Sequence, residues 1–241
     1  MWSVCKKEFR QFFSSLTGYI AIIVFLLLNG LFLFVFPDTN ILDYGYATLD
    51  KFFELAPWIL LLLIPAITMR SFADEFKSGT FEILQTKPLS RWQLVSGKFL
   101  GSFGVVLIAL IPTVIYAISV QQLATAPGGI DMGGTIGSYI GLIFLAGAFV
   151  AIGIGCSSVT NNAVVAFIAG AFLCFLLYSG FNAISRIPAL QSGADYYIEM
   201  LGIDFHYRSV SRGVVDSRDI IYFISIIAFF LIFTNRNLLK R

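Results

Sequence analysis

Residues 70–98 read RSFADEFKSGTFEILQTKPLSRWQLVSGK, while the runs on either side, 55–69 and 99–120, carry no charge. A charged loop between two apolar runs of that length is the pattern of a connection between membrane-spanning helices. Reading outward, 18–36, 136–155, 163–184 and 220–233 are apolar runs of the same kind, which makes six predicted spans. The second run extends back through Phe52 and Phe53 and is expected to kink at Pro57 and Pro65. Proline inside a span is tolerated where neighbouring helices satisfy the carbonyls it frees. The third span contains Pro112, the fourth is rich in glycine, and the sixth is short.

Composition agrees. Of 241 residues, 58% are hydrophobic and 12% charged, and mean hydropathy is +0.85, whereas soluble domains run at about 45–50% and about 25%. This excludes an ordinary soluble enzyme. The 25 Phe, 10 Tyr and 3 Trp exclude a disordered chain. The expected fold class is an all-α polytopic membrane protein of six transmembrane helices, forming a single domain over 1–241. Residues 1–17 precede the spans as an interfacial helix. Trp2, Cys5, Phe9, Phe12 and Leu16 recur at helical spacing, with Lys6, Lys7, Arg10 and Gln11 on other faces. A signal peptide is the rival reading, but the 19-residue apolar run exceeds the about 7–15 residues of a signal core and no small-residue cleavage pattern follows.

Orientation follows from the loops. Eleven of the 16 Lys and Arg fall on the side of the N-terminus, and with Glu8, Asp74, Glu75 and Glu82 they leave that side at +7 and the other at −5, in keeping with the total of +2. Both termini are expected in the cytoplasm, which makes 70–98 a cytoplasmic loop and 185–219 an outer one. Within 70–98, Phe72 and Phe76 define one short helix and Phe81 and Leu84 a second, separated by Gly79 and ended by Pro88. Ser90 and Gln93 form a capping box, so the third helix is expected to start there and run into the membrane as one long rod. Glu75 and Glu82 are seven residues apart and would share a face if the helices were continuous. The loop between the fourth and fifth spans, 156–162, has no charge and reads as a simple turn.

Sites for chemistry are few. Cys5, Cys156 and Cys174 have no metal or redox spacing, His206 is the only histidine, and no metal ligand set is expected. The nearest approach to a phosphate-binding loop, at Gly97-Lys98, has Trp92 for its first glycine and Phe99 for its hydroxyl residue, so no nucleotide site is expected. Catalytic residues are not expected. Ionisable groups are missing from the span centres, which argues against proton coupling. Asn29, Thr113 and Asn182 either line a path or bond neighbouring helices. Gly137 and Gly141, then Gly147, Ala151 and Gly155, make rows of small residues suited to close helix packing, within one subunit or between two. The outer loop, with Asp195, Tyr196, Tyr197, Glu199, Asp204, His206, Tyr207, Arg208 and Arg212, reads as polar residues among apolar ones.

The run Glu75, Gly79-Thr80, Glu82, Leu84, Thr86, Pro88 and Gly97-Lys98 resembles the signature of type-2 ABC transporter permeases, and the likeness covers the whole chain. Residues 40–58 and 79–98 most resemble the permease subunits of gliding-motility-associated ABC transporters of Bacteroidetes-type bacteria. The resemblance implies a bacterial inner-membrane subunit of the type-2 exporter fold, with re-entrant helices in the outer loop. It implies a second permease, identical or not, and a separate ATPase that binds ATP and Mg and docks on Glu82, with Phe81, Glu75 and Arg91 as further contacts. The other partner is membrane lipid, and nucleic acid is not expected. A non-transporting scaffold that passes ATPase-driven force to envelope machinery is the alternative.

Overall fold

The computed structural model describes residues 1–37, 40–41, 48–85, 88–124, 130–188, 193, 195–214 and 216–239. Thr86 and Lys87 of the 70–98 loop, residues 42–47 of the 40–58 stretch, and residues 189–192, 194 and 215 of the 185–219 loop lie outside these. The regular structure among the described residues is helical. In chain order, α1 (Trp2–Phe13) meets α2 (Leu16–Phe34) at a bend of 71°. α3 (Asp50–Thr68) runs on into α4 (Arg70–Lys77) as a rod of 28 residues, and α5 (Thr80–Gln85) follows after Gly79. α6 (Arg91–Leu110) continues through a 3₁₀ turn at Ile111–Thr113 into α7 (Val114–Leu123), 33 residues in all. Then come α8 (Met132–Val159), α9 (Ala163–Phe175), a π turn at Leu176–Gly180 with α10 (Phe181–Ser185), the short α11 (Asp195–Glu199) and α12 (Ile203–Val210), and α13 (Ser217–Asn237). Five of these helical stretches are long and apolar enough to cross a membrane, and the bent pair α1–α2 makes a sixth.

α8 is the central post. In its most apolar window 78% is buried, against 22% for the α9–α10 span and 17% for α13. Its small residues let the neighbours approach, and they face neighbours within this chain. A Cβ at Gly137 would lie 2.8 Å from the backbone of Gly213, and one at Gly141 would lie 2.8 Å from Val210 at the end of α12. Gly147 faces Ile227 and Gly155 faces Phe230 of α13, and Ala151 between them is fully buried. Gly213 itself has φ +83° and abuts Gly134, so both its backbone angle and the space around it exclude a side chain.

Two expectations change in extent. The last span is not 220–233 but Ser217–Asn237. Its polar ends satisfy themselves: Asp216 caps the N-terminus by accepting from the Arg218 N–H at 2.9 Å, Thr234 bonds the Phe230 carbonyl, and Asn237 donates to the Ser158 carbonyl at 2.6 Å. The helix expected over 1–17 ends at Phe13, with Leu16 beginning α2, and its Trp2 is exposed while Val4 is buried against α6. The rod from Ser90 is present as expected, and its capping box is formed on both sides, with bonds of 3.0 and 3.2 Å.

The second span stays helical through both prolines. Pro57 has no N–H to give to the carbonyl four residues back, that of Phe53. The hydroxyl of Tyr207 on α12 donates to that carbonyl at 2.7 Å, and both residues are buried. Burial, with Tyr178 and Asp204 nearby, pushes the Tyr207 hydroxyl well above its usual range, so it remains a neutral donor. A defect in a span thereby anchors the helices of the 185–219 loop. Tyr207→Phe, which strands a buried carbonyl, should destabilise the detergent-solubilised chain by about 1–3 kcal/mol. In a Pro57→Ala background, where the new alanine supplies its own N–H, the same change should cost clearly less. Equal thermal shifts in the two backgrounds would contradict the pairing.

Candidate functional site

The polar features of the chain gather at the two ends of the helix bundle. At the end that carries 70–98, Gly79 (φ +70°) stops α4 and lets the chain turn into α5. Phe72, Phe76 and Phe81 pack in series, with ring centroids 5.9 and 4.9 Å apart, and fix α5 on α4. Because of that turn Glu75 and Glu82 do not share a face. Glu75 points inward and is buried, whereas Glu82 and Arg91 are exposed and have no ion pair among the described residues. Phe81 is buried too. Of the four candidate contact residues, Glu82 and Arg91 therefore present themselves outward, and Phe81 and Glu75 hold the loop together from within.

What Glu75 meets is a charge node. Lys98 of α6 is only 1% exposed; its ammonium lies 2.7 Å from Glu8 Oε1 of α1 and 3.0 Å from Glu75 Oε1 of α4, and it also donates to the Ser71 carbonyl. Three acceptors thus surround the three N–H donors of one ammonium. Lys7 approaches Glu75 Oε1 from the outside at 2.8 Å, and the Phe72 ring lies 4.8 Å from the Lys98 ammonium. Two lysines and two glutamates sum to zero, and the low-dielectric surroundings make each contact stronger than in water. The node needs α1 very close to α6, and glycine provides this. A Cβ at Gly97 would sit 2.9 Å from Val4 Cβ, and one at Gly101 2.7 Å from Glu8 Cβ.

A second clamp comes from α8. The hydroxyl of Ser157 accepts from the N–H groups of Phe72 and Ala73 at 3.0 and 3.2 Å and donates to the Met69 carbonyl at 2.9 Å. It satisfies the backbone where α3 passes into α4. The 156–162 segment is thus more than a turn, since its first residues hold α4 in place. Lys98 stood out in the sequence only as part of the Gly97-Lys98 pair and Ser157 not at all; for the close approach of α1 to α6, the Gly97-x-x-x-Gly101 spacing, the small-residue pattern evident in the fourth span, was the available signal.

At the opposite end, α11 and α12 fold back on the bundle. Asn182 donates to Glu199 at 3.1 Å and to Asp204 at 3.4 Å, so it ties a span to this cap. Arg208 bonds Asp204, which raises its already high pKa, and reaches Glu199 at 3.6 Å. His206 is buried between Asp219 Oδ1 at 2.7 Å and the Met200 carbonyl at 2.9 Å, stacked 3.8 Å from Tyr222. Both ring nitrogens face acceptor oxygens, which fixes the ring between α13 and the end of α11. Of the other span polar groups, Thr113 bonds Tyr139 of α8 at 3.1 Å, and Asn29 turns back on the Phe25 carbonyl of its own helix. No group of three or more metal-binding side chains occurs among the described residues.

Apolar helices of spanning length, joined on one side by a keyed and charged helix pair, define a multi-pass membrane protein. The family of ABC-2 family transporter proteins matches residues 2–199, and the chain belongs to it: it is a membrane permease of an ABC transporter. Permeases of this family are generally non-catalytic membrane subunits that partner an ABC ATPase. No individual curated protein matches the chain.

Lys98→Met should cost about 3–5 kcal/mol, because two carboxylates stay buried without their cation. Lys7→Ala, at a half-exposed lysine, should cost less than about 1 kcal/mol. Thermal denaturation in mild detergent measures both, and similar losses for the two would contradict a node centred on Lys98.

Proposed function

We propose that this permease works as an ATP-driven exporter half, paired with a second permease and powered by a separate ATPase that docks on α4–α5 and the start of α6. ATP and Mg belong to the partner. Glu82 makes the central contact and Arg91 flanks it. Phe81 and Glu75 act from behind, as positioning residues that keep the helix pair stiff. The observation that carries the reading is the contrast on one short loop: Glu82 and Arg91 are exposed and have no ion pair among the described residues, while the residues beneath them are fixed to α1, α6 and α8. A docking surface that transmits movement needs a free face on a rigid support.

An open cleft of about 410 Å³ between Lys77 and the 159–162 turn adjoins this face and offers the ATPase a second foothold. The permease sits in a bacterial inner membrane with both termini in the cytoplasm, as the charge imbalance between its two sides supports. The resemblance of 40–58 and 79–98 to gliding-motility permeases supports a cargo or a mechanical task in the cell envelope. The scaffold reading shares the same docking surface and differs only in what the far side does.

Glu82→Arg should abolish co-purification of the ATPase from the native host while leaving the melting temperature of the permease unchanged, since Glu82 is exposed. Arg91→Glu should weaken it partially. An ATPase that co-purifies equally well with Glu82→Arg would overturn the docking assignment.

A further inference from the structure

Beneath the elbow between α1 and α2 is a cavity of about 200 Å³, walled also by the end of α3, by α4 and by α6. Its lining is sharply mixed. Phe12 and Val105 contribute apolar surface, and Arg70 and Asp74, one turn apart on α4, contribute opposite charges. The side chains of these two do not pair with each other or with any described residue. Glu8 also borders the cavity, but its carboxylate is engaged by Lys98. Arg70 is exposed and Asp74 half-buried, and two serines add hydroxyls to the wall. Ser71 and Ser102 are 5% and 4% exposed, line the cavity, and their hydroxyls have no hydrogen-bond partner among the described residues. Both hydroxyls are therefore free to bond whatever enters the cavity, beside a guanidinium and a carboxylate that are likewise unpaired.

We propose that this cavity binds the headgroup of one phosphatidylethanolamine molecule. The cavity lies at the bend between α1 and the first span and beside Met69, the residue that follows α3, where a lipid headgroup would meet the chain. The phosphate diester takes donors from the Arg70 guanidinium and the two serine hydroxyls, and the primary ammonium donates to Asp74. Phe12 and Val105 meet the glycerol and the first methylenes. One cation and one anion select a zwitterion. Phosphatidylglycerol would leave Asp74 facing a hydroxyl, and phosphatidylcholine has no N–H to offer it. A lipid held there would fill the gap between the elbow and α4 and so support the node from its lipid side.

Native mass spectrometry of the full chain, released from bilayer discs of equimolar phosphatidylethanolamine, phosphatidylglycerol and phosphatidylcholine, tests this. One phosphatidylethanolamine per chain should survive delipidation, enriched about tenfold over the other two, as expected for one charge-assisted hydrogen bond. Asp74→Lys should transfer the preference to phosphatidylglycerol, and Asp74→Asn, a gentler change at a half-buried position, should abolish discrimination. A retained lipid whose composition matches the bilayer in all three proteins would overturn the proposal. So would displacement by soluble glycerophosphoethanolamine as effective as by the lipid, since the ligand would then be a soluble phosphate compound.

Discussion

An ammonium group taken out of water must find three acceptors, and at Lys98 it finds them on segments that include partners 27 and 90 residues away in sequence. That requirement organises the loop end of the permease. It draws α1 across α6, turns Glu75 inward, and leaves α4 no freedom to swing away from the bundle. Gly97 and Gly101 are its geometric counterpart, since a side chain at either would hold α1 off and lengthen the contacts from Glu8. The balance of charges is its electrostatic counterpart, because removing Lys98 leaves the carboxylates of Glu8 and Glu75 to bear the cost of desolvation.

The far end is built on a different defect. Pro57 frees a carbonyl in the second span, and Tyr207 satisfies it from outside the span. α8 then links the two ends. Ser157 near its end clamps the junction of α3 and α4, and Gly137 and Gly141 near its beginning admit the backbone around Val210 and Gly213. A displacement imposed on α4 therefore meets a stiff post that reaches the α12 cap directly, together with the rods α3–α4 and α6–α7. No long pathway of side chains is needed to pass such a displacement when the elements are rods joined at a few satisfied polar points.

Much of this was legible in the sequence. Spans, the helix stop at Gly79 and the capping box at Ser90 rest on interactions within a few residues, and each could be read from spacing alone. The Lys98 node rests on partners far apart in the chain, for which a single sequence carries no periodic signal. Lys98 therefore read as a basic residue of the Gly97-Lys98 pair, and Glu75 as an acid sharing an outward face with Glu82. The extent of the last span was underestimated for a related reason. Thr234 and Asn237 look like the end of an apolar run, whereas their polar atoms bond backbone carbonyls and let the helix continue. The rows of small residues in α8 were visible, but not which partner they admit. The choice between another subunit and this one stood open, and contacts with α12 and α13 now fill those grooves.

If the node does what its geometry implies, α1, α4 and the head of α6 move as one body when the partner ATPase acts. The most direct measurement is the spin-label distance between Lys6→Cys on α1 and Lys77→Cys on α4, with Cys5, Cys156 and Cys174 replaced, in the reconstituted permease–ATPase complex. One narrow distance distribution is expected, the same without nucleotide and with trapped ATP, which broadens or shifts with nucleotide only when Lys98 is replaced by Met. A nucleotide-dependent change of several ångströms with Lys98 intact would contradict this, because α1 and α4 would then move independently.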